Sequence, residues 1–301
     1  AAGHQFSGSS DTEVILNLYL SLRSDDFELE KLLLSLNGIF AFALYDSHTS
    51  EILLARDQIG VKPLYYHQDS STFSFASEIK SLLPLITQPL DIDVSSIDRY
   101  LSFVWNPGIS SPATSVKCLS PGEYLVLCNG RIRKRSFWYS LPFFRPLGIT
   151  PTSSSVVNQT RHYLRQAVHR QLVSDVPVGS FLSGGLDSSS IVCFAREIIP
   201  DIRCFTIQTQ DSSCDGFSSD LPYAQLVSNH LDVPLEVVEV DSVDLISAFE
   251  QLVWQLDEPI ADPAALNVLS ISRLARQQGF KVLLSGLGGD DLFTGYRRHF
   301  A

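Results

Sequence analysis

The sequence predicts two domains, an α+β unit followed by an α/β unit built on a parallel sheet, and three observations carry that reading. A chain of 301 residues with 45% hydrophobic content has material for about two cores of ordinary size. In the first half, short apolar runs succeed one another across brief polar turns, which favours antiparallel pairing. In the second half, strand-like and helix-like runs alternate regularly, the pattern of parallel strands joined by crossover helices.

Ser10-Asp11-Thr12-Glu13 opens the first helix, with a hydroxyl at the N-cap, acids in the first turn and an apolar face at Val14, Ile15, Leu18 and Leu22. Ser24-Asp25 stops it. A second helical run, Leu29 to Leu36, leads through Asn37-Gly38 into a strand from Ile39 to Asp46, paired with Glu51 to Arg56. A turn from Arg56 to Pro63 enters Leu64-Tyr65-Tyr66, Thr72 to Ala76 is a further strand, and Ser77-Glu78-Ile79-Lys80 starts a short helix. Asp93 to Trp105 reads as a helix with apolar Val94, Ile97, Leu101 and Val104, ended by Asn106-Pro107-Gly108. Pro121-Gly122 turns into Glu123 to Leu127, and Asn129-Gly130 is a hairpin turn into Ile132 to Trp138.

Residues 141–155, with three prolines and a serine/threonine run, read as a linker between a domain at 1–140 and another at 156–301. Beyond a helix at 156–174, the alternation runs strand 178–182, helix 187–199, strand 202–208, helix 221–231, strand 235–240, helices 243–256 and 264–278, and strand 281–285. In such a sheet ligands gather at the carboxyl ends of the strands.

Two stretches stand at such ends. Val178 to Leu182 runs into Ser183-Gly184-Gly185-Leu186-Asp187-Ser188-Ser189, which combines glycines, hydroxyls and the start of a helix. Glycine permits positive φ and a close approach of an anion, and the free amides of a helix N-terminus point at it. Lys281 to Leu284 runs into Ser285-Gly286-Leu287-Gly288-Gly289-Asp290-Asp291, before a helix opening at Leu292. If both turns face one crevice, Asp187 and Asp290 are the carboxylates able to hold Mg²⁺ against phosphate oxygens. The competing reading for each is a plain N-cap aspartate, with Asp291 the better plain cap.

Composition narrows the partners. A net charge of −11 with pI near 5.0 leaves no basic footprint for nucleic acid, and the run Arg131, Arg133, Lys134, Arg135 reads as one solvated strand face. Five cysteines without C-x-x-C spacing suit a reducing, cytoplasmic compartment. No apolar run reaches membrane-spanning length. With no methionine anywhere and polar, unpunctuated ends, the chain is expected to be a piece of a longer protein.

The first glycine-rich stretch lacks the Gly-Lys-Ser/Thr ending of a Walker A loop and resembles the pyrophosphate loop of ATP pyrophosphatases, which cut ATP between the α and β phosphates. Ser-Asp-Thr-Glu-Val-Ile, Gly-Ile-Phe-Ala-Phe-Ala-Leu-Tyr-Asp, Arg-Asp-x-x-Gly-x-Lys-Pro-Leu-Tyr-Tyr and Phe-Ala-Ser-Glu-Ile-Lys, in that order across residues 7–83, resemble the glutaminase domain of the asparagine synthetase (glutamine-hydrolysing) family. Ser-Gly-Leu-Gly-Gly-Asp-Asp-Leu-Phe-x-Gly-Tyr-Arg-Arg and, before it, Leu256-Asp257-Glu258-Pro259 with Ala261-Asp262-Pro263 resemble its synthetase domain.

The resemblance implies an αββα Ntn-hydrolase-type first domain and a Rossmann-like ATP-pyrophosphatase second domain, both incomplete. It implies that Asp11 binds glutamine, for which the competing reading is a helix-start acid, while Arg56 and Asp57 look structural, an arginine and a carboxylate bracing a turn. It further implies that Ser183 to Ser189 bind pyrophosphate, that Ile207 and Ser285-Gly286 contact AMP, and that Asp187 and Asp290 bind magnesium. ATP and Mg²⁺ are the implied cofactors, and glutamine and a carboxylate, commonly aspartate, the substrates, with a homodimer an admitted state. The family's N-terminal catalytic cysteine precedes Ala1, and its later catalytic lysine follows Lys281, the last lysine here. The chain as given is therefore expected to release no glutamate from glutamine and to bind ATP weakly. Leu287 replaces a usual acid and Phe181 a usual small aliphatic residue. The alternatives are a β-lactam- or macrolactam-forming synthetase of the same fold, or a non-catalytic nucleotide-binding relative.

Overall fold

The computed structural model describes residues 5–23, 29–142, 153–209, 220–262 and 264–295. Contacts divide the chain into one unit of Ala1–Arg145 with Leu256–Ala261 and another of Pro146–Gln255 with Asp262–Ala301. Most of the expected linker, residues 143–152, lies outside the described residues.

In the first unit, α1 (Asp11–Leu22) starts where the capping pattern places it, with the Ser10 side chain accepting from Thr12 N at 3.2 Å. Glu13 reaches back to accept from Ser7 N (2.7 Å) and Gly8 N (2.9 Å), fixing the approach to the helix. After α2 (Leu29–Leu34) come β1 (Ala41–Asp46), β2 (Glu51–Arg56), β3 (Tyr65–Gln68), β4 (Phe73–Ala76), α3 (Ile79–Leu82) and α4 (Val94–Phe103). The unit ends with β5 (Val116–Cys118), β6 (Glu123–Cys128) and β7 (Arg131–Phe137). All pairing is antiparallel, in sheets ordered β1-β2-β6-β7 and β4-β3-β5. Strand β6 explains the layering, because side chains alternate faces along a strand. Tyr124 and Val126 join Leu32, Leu33 and Trp138 on the helix side, whereas Leu125 and Leu127 join Leu64, Tyr66 and Leu119 on the side of the second sheet. Asn129 and Gly130, with φ of 50° and 70°, make the expected hairpin turn.

Two features differ from the sequence reading. Strand β5 was not expected, being three residues long. Helix α4 ends at Phe103, with Val104 left-handed at φ 62°, rather than at Trp105. Buried Asn106 provides the reason: its Oδ1 accepts from Arg99 Nε (3.0 Å) and its Nδ2 donates to Ser110 O (2.6 Å), pulling the chain off the helix axis. The basic strand is exposed as read, and its side chains also form ion pairs. Arg133 pairs with Glu51 (2.7 Å), Lys134 with Glu30 (3.2 Å), and Arg135 with fully buried Glu123.

The Arg56-Asp57 pair braces a turn as read. Arg56 donates to Lys62 O (2.7 Å), Gly60 O (2.7 Å) and Leu119 O (2.5 Å), and Asp57 accepts from the amides of Ile59, Val61 and Lys62. A second carboxylate ties α1 to β1. Buried Asp46 accepts from Tyr19 Oη at 2.7 Å and from His48 N at 2.8 Å, with Arg23 at 3.2 Å. The Tyr19 hydrogen bond, foremost, holds the Asp46 carboxyl below its ordinary pKa, against the opposing effect of burial. A carboxyl depressed on folding contributes stability above its unfolded pKa of about 4 and loses it as pH falls through the lower folded value. Tyr19→Phe is therefore expected to cost about 1 kcal/mol near neutral pH, a gap that closes as pH falls through the lowered folded value. Urea denaturation of both proteins across this range checks it, and a pH-independent gap would contradict it.

The second unit contains α5 (Ser153–Gln171), β8 (Val178–Phe181), α6 (Leu186–Arg196), β9 (Cys204–Thr209) and α7 (Leu221–Leu231). Then follow β10 (Leu235–Val240), α8 (Ser242–Gln255), α9 (Ala264–Gln277), β11 (Val282–Leu284) and α10 (Gly289–Phe293). Its four strands are parallel, in the order β10-β9-β8-β11. Both faces are covered. Val168 of α5, Leu172 just after it, Val192 and Ala195 of α6 and Ala224 of α7 pack on one side, and Ile271 and Ala275 of α9 pack with Phe205 on the other. Phe181 belongs to that second cluster, so its ring fills core volume. None of the described helices is long and apolar enough to cross a membrane.

Candidate nucleotide-binding site

The strand order decides where the second unit can bind a ligand. Strand β8 pairs with β9 on one side and with β11, the last strand, on the other, so the chain steps outward from β8 through β9 to β10 and then returns across the sheet to β11. At such a reversal of strand order the turns leaving the adjacent strands β8 and β11 open a crevice at their carboxyl ends. Those turns are the two glycine-rich stretches.

The first is held in shape by its own hydroxyls. Ser183 Oγ and Ser188 Oγ lie 3.0 Å apart, Ser183 N donates to Ser188 Oγ (3.3 Å), and Ser188 Oγ donates to Gly185 O (3.3 Å). Ser188 is buried and engaged within the loop, while Ser189 Oγ is buried with no protein partner. Gly184 has φ +82°, a conformation L-residues adopt at a cost. A methyl group there would lie 2.3 Å from Tyr223 C and 2.5 Å from Ala224 N, so the loop rests directly on the first turn of α7. Gly185 is the N-cap of α6, with no side chain capping it. The first intrahelical bond comes from Ser189 N to Gly185 O (3.0 Å), which leaves the amides of Leu186, Asp187 and Ser188 ahead of the helical ladder, where an anion is favoured.

The second turn repeats the plan. Helix α10 begins at Gly289, with Gly288 as N-cap at φ 97°, earlier than the expected Leu292. Asp290 and Asp291 therefore stand in its first turn, and the plain-cap reading of Asp291 is corrected: the cap is a glycine. Asp187 is likewise in the first turn of its helix, so neither it nor Asp290 serves as an N-cap. Ser285 Oγ accepts from Leu287 N at 3.1 Å, and Leu287 is 87% exposed.

The two turns touch. A methyl group built on Gly286 would lie 2.7 Å from Ser188 N, and one on Gly289 would lie 2.1 Å from Asp187 Oδ2. The Asp187 carboxylate thus lies on the backbone next to Asp290. On the far side, a methyl on Gly295 would meet Asp290 Oδ1 at 1.8 Å. Glycines at 286, 289 and 295 leave the room these carboxylates occupy. Among the described residues no three His, Cys, Asp or Glu side chains cluster as a self-sufficient metal site. Two carboxylates beside free amides fit Mg²⁺, which takes few protein ligands and completes its octahedron with phosphate oxygens and water. Ile207 lies in β9, half-buried within the α9-side cluster. In the first unit, Asp11 is exposed at the start of α1. Cys214 falls outside the described residues, and the other four cysteines are free thiols.

Comparison with known proteins agrees with this division. The asparagine synthase family model matches residues 159–301 and the glutamine amidotransferase domain model residues 1–138. Fold and matches together define a chain that joins a glutamine amidotransferase-type domain to an asparagine synthase-type domain. It belongs to the asparagine synthetase (glutamine-hydrolysing) family. Asparagine synthetase [glutamine-hydrolyzing] 1 of Bacillus subtilis is 32% identical over 297 residues, covering 98% of this chain and 44% of the relative. A putative asparagine synthetase [glutamine-hydrolyzing] 2 of Methanocaldococcus jannaschii is 31% identical over 296 residues, 96% of this chain and 54% of the relative. Amidase chyE of Penicillium rubens is 31% identical over 316 residues, 98% and 44% respectively. The chain spans about half the length of the curated relatives it matches.

Proposed function

We propose that the protein containing this chain activates a carboxylate with ATP, releasing pyrophosphate, and attacks the resulting acyl-AMP with ammonia drawn from glutamine. The observation that carries this reading is the Asp187 carboxylate lying against Gly289, beside Asp290, at the carboxyl ends of adjacent strands. On this reading the amides of Leu186, Asp187 and Ser188, with Ser183 and Ser189, hold the diphosphate. Ile207, Ser285 and Gly286 face the AMP portion. Bound Mg²⁺, held by Asp187 and Asp290, would supply positive charge to the departing diphosphate. The first domain, 1–140, would be of the Ntn-hydrolase αββα type with Asp11 on glutamine, joined through 141–155 to a Rossmann-like ATP-pyrophosphatase domain at 156–301. A cytoplasmic homodimer completes the proposal.

Asparagine formation from aspartate is the leading outcome. Leu287 favours keeping a second: an exposed leucine cannot exchange a proton with an acceptor, and one relative of similar identity is named an amidase. Isotope exchange between pyrophosphate and ATP, run over a panel of carboxylates, identifies which acid is adenylated. Calorimetry tests the site itself. Asp187→Ala is expected to weaken Mg²⁺-ATP binding about tenfold or more, since a charge-assisted ligand is lost from a two-carboxylate site. Equal affinity in both proteins would remove the reading.

A further inference from the structure

The chain leaves the second unit at Gln255, the end of α8, and rejoins it at Asp262, before α9; the six residues between them, Leu256–Ala261, belong to the first unit. A connection between two helices ordinarily runs over the surface with its polar groups in water. This one is stitched down by carboxylates. Asp257 accepts from Ile79 N (2.6 Å), Lys80 N (3.4 Å) and Lys80 Nζ (3.0 Å). It thereby caps α3, whose own N-cap residue, Glu78, makes no side-chain cap. Glu258 lies within electrostatic reach of Tyr65 on β3 and of Asn106, the residue that redirects the chain after α4. Ala261 N donates to Val104 O at 2.8 Å. Burial, foremost, raises the Glu258 carboxyl above its ordinary pKa, so its placement is a cost that a plain linker would avoid. Both ends of the stretch are fixed as well: Leu252 is buried in α8, and Asp262 Oδ1 accepts from Ala264 N (2.9 Å) at the start of α9.

We propose that Leu256–Ala261 is a strap coupling the α8–α9 pair of the second unit to α3, β3 and the Val104–Asn106 turn of the first, with Asp257 and Glu258 as its positioning residues. The coupling invoked passes along the chain itself. Because α9 covers the sheet from which β8 and β11 present the glycine-rich turns, a shift of its N-terminus draws on Asp257 and Glu258, and loosening α3 or Tyr65 frees the end of α8. The inference rests on these hydrogen bonds and the chain path, and stands whether or not the site binds ATP.

Hydrogen exchange read in both directions tests it, since coupling between sites is reciprocal. Tyr65→Phe and Lys80→Ala, both in the first unit, are expected to speed amide exchange about fivefold or more at the last turn of α8 and the first turn of α9. Asp262→Ala, which removes the α9 cap, is expected to speed exchange at the Ile79 and Lys80 amides. Amides of β6 and β9 should keep their protection, showing that each variant remains folded. Exchange that rises only in the unit carrying the substitution, with β6 and β9 intact, overturns the proposal. Should Lys80→Ala lose that protection, Tyr65→Phe alone decides, because it removes one hydroxyl and no packing volume.

Discussion

Gly184→Ala is expected to abolish Mg²⁺-ATP binding and to destabilise the second unit by about 3 kcal/mol. Two costs combine. A residue with a Cβ held at φ +82° is strained by about 1 kcal/mol or more. The added methyl would also lie 2.3 Å from Tyr223 C and 2.5 Å from Ala224 N, both backbone atoms of α7, and Ala224 is fully buried in the core. Overpacking against backbone costs a further 1–3 kcal/mol or so, and relief requires the loop to lift away from α7. Lifting it displaces the amides of Leu186 and Asp187 together with the Asp187 carboxylate. Gly185→Ala is the control. Its φ is −69°, and the nearest atom to an added methyl is Ser183 Oγ at 3.5 Å, so its stability should change by less than about 1 kcal/mol. Urea denaturation and calorimetry on the pair separate the two positions. Indistinguishable behaviour would mean that loop and helix are not locked together.

Local chemistry was the legible part of this chain. The turn from Ser183 to Ser189 declares itself because strand, glycines, hydroxyls and helix start are contiguous, and the Asn129-Gly130 hairpin does so because both residues must take positive φ. The adjacency of β8 and β11 was accessible only through the general rule for parallel sheets, since about a hundred residues of other elements intervene. The start of α10 was misplaced because Gly288 caps it by conformation, leaving no Ser, Thr, Asp or Asn to mark the position. Asp257 and Glu258 had no local signature either: the groups they meet, Ile79 and Lys80 for the one and Tyr65 and Asn106 for the other, lie some 150 or more residues earlier in sequence. The basic strand was read correctly as solvated, but which arginine meets a buried acid was not legible, because it depends on the pairing register of β6 with β7.

That register yields the second large prediction. Arg135→Ala is expected to cost about 3–5 kcal/mol, whereas Arg133→Ala, two residues away on the same strand, should cost less than about 1 kcal/mol. Arg133 is exposed and pairs with Glu51 near water, where solvent screens the attraction and the lost ion pair is replaced by hydration. Arg135, 39% exposed, instead partners Glu123, which has no accessible surface and, among the described residues, otherwise accepts from Ser120 N (2.9 Å). Removing the guanidinium leaves that carboxylate without its cation inside the most buried strand of the unit. If that stranded charge is the source of the loss, adding Glu123→Gln to Arg135→Ala should recover part of it, since a neutral amide keeps an acceptor for Ser120 N without a buried charge. A double-mutant cycle by urea denaturation measures this directly. Additive losses, or equal costs at positions 133 and 135, would show that water reaches the Glu123 carboxylate once the guanidinium is gone and that β6 owes its stability to packing alone.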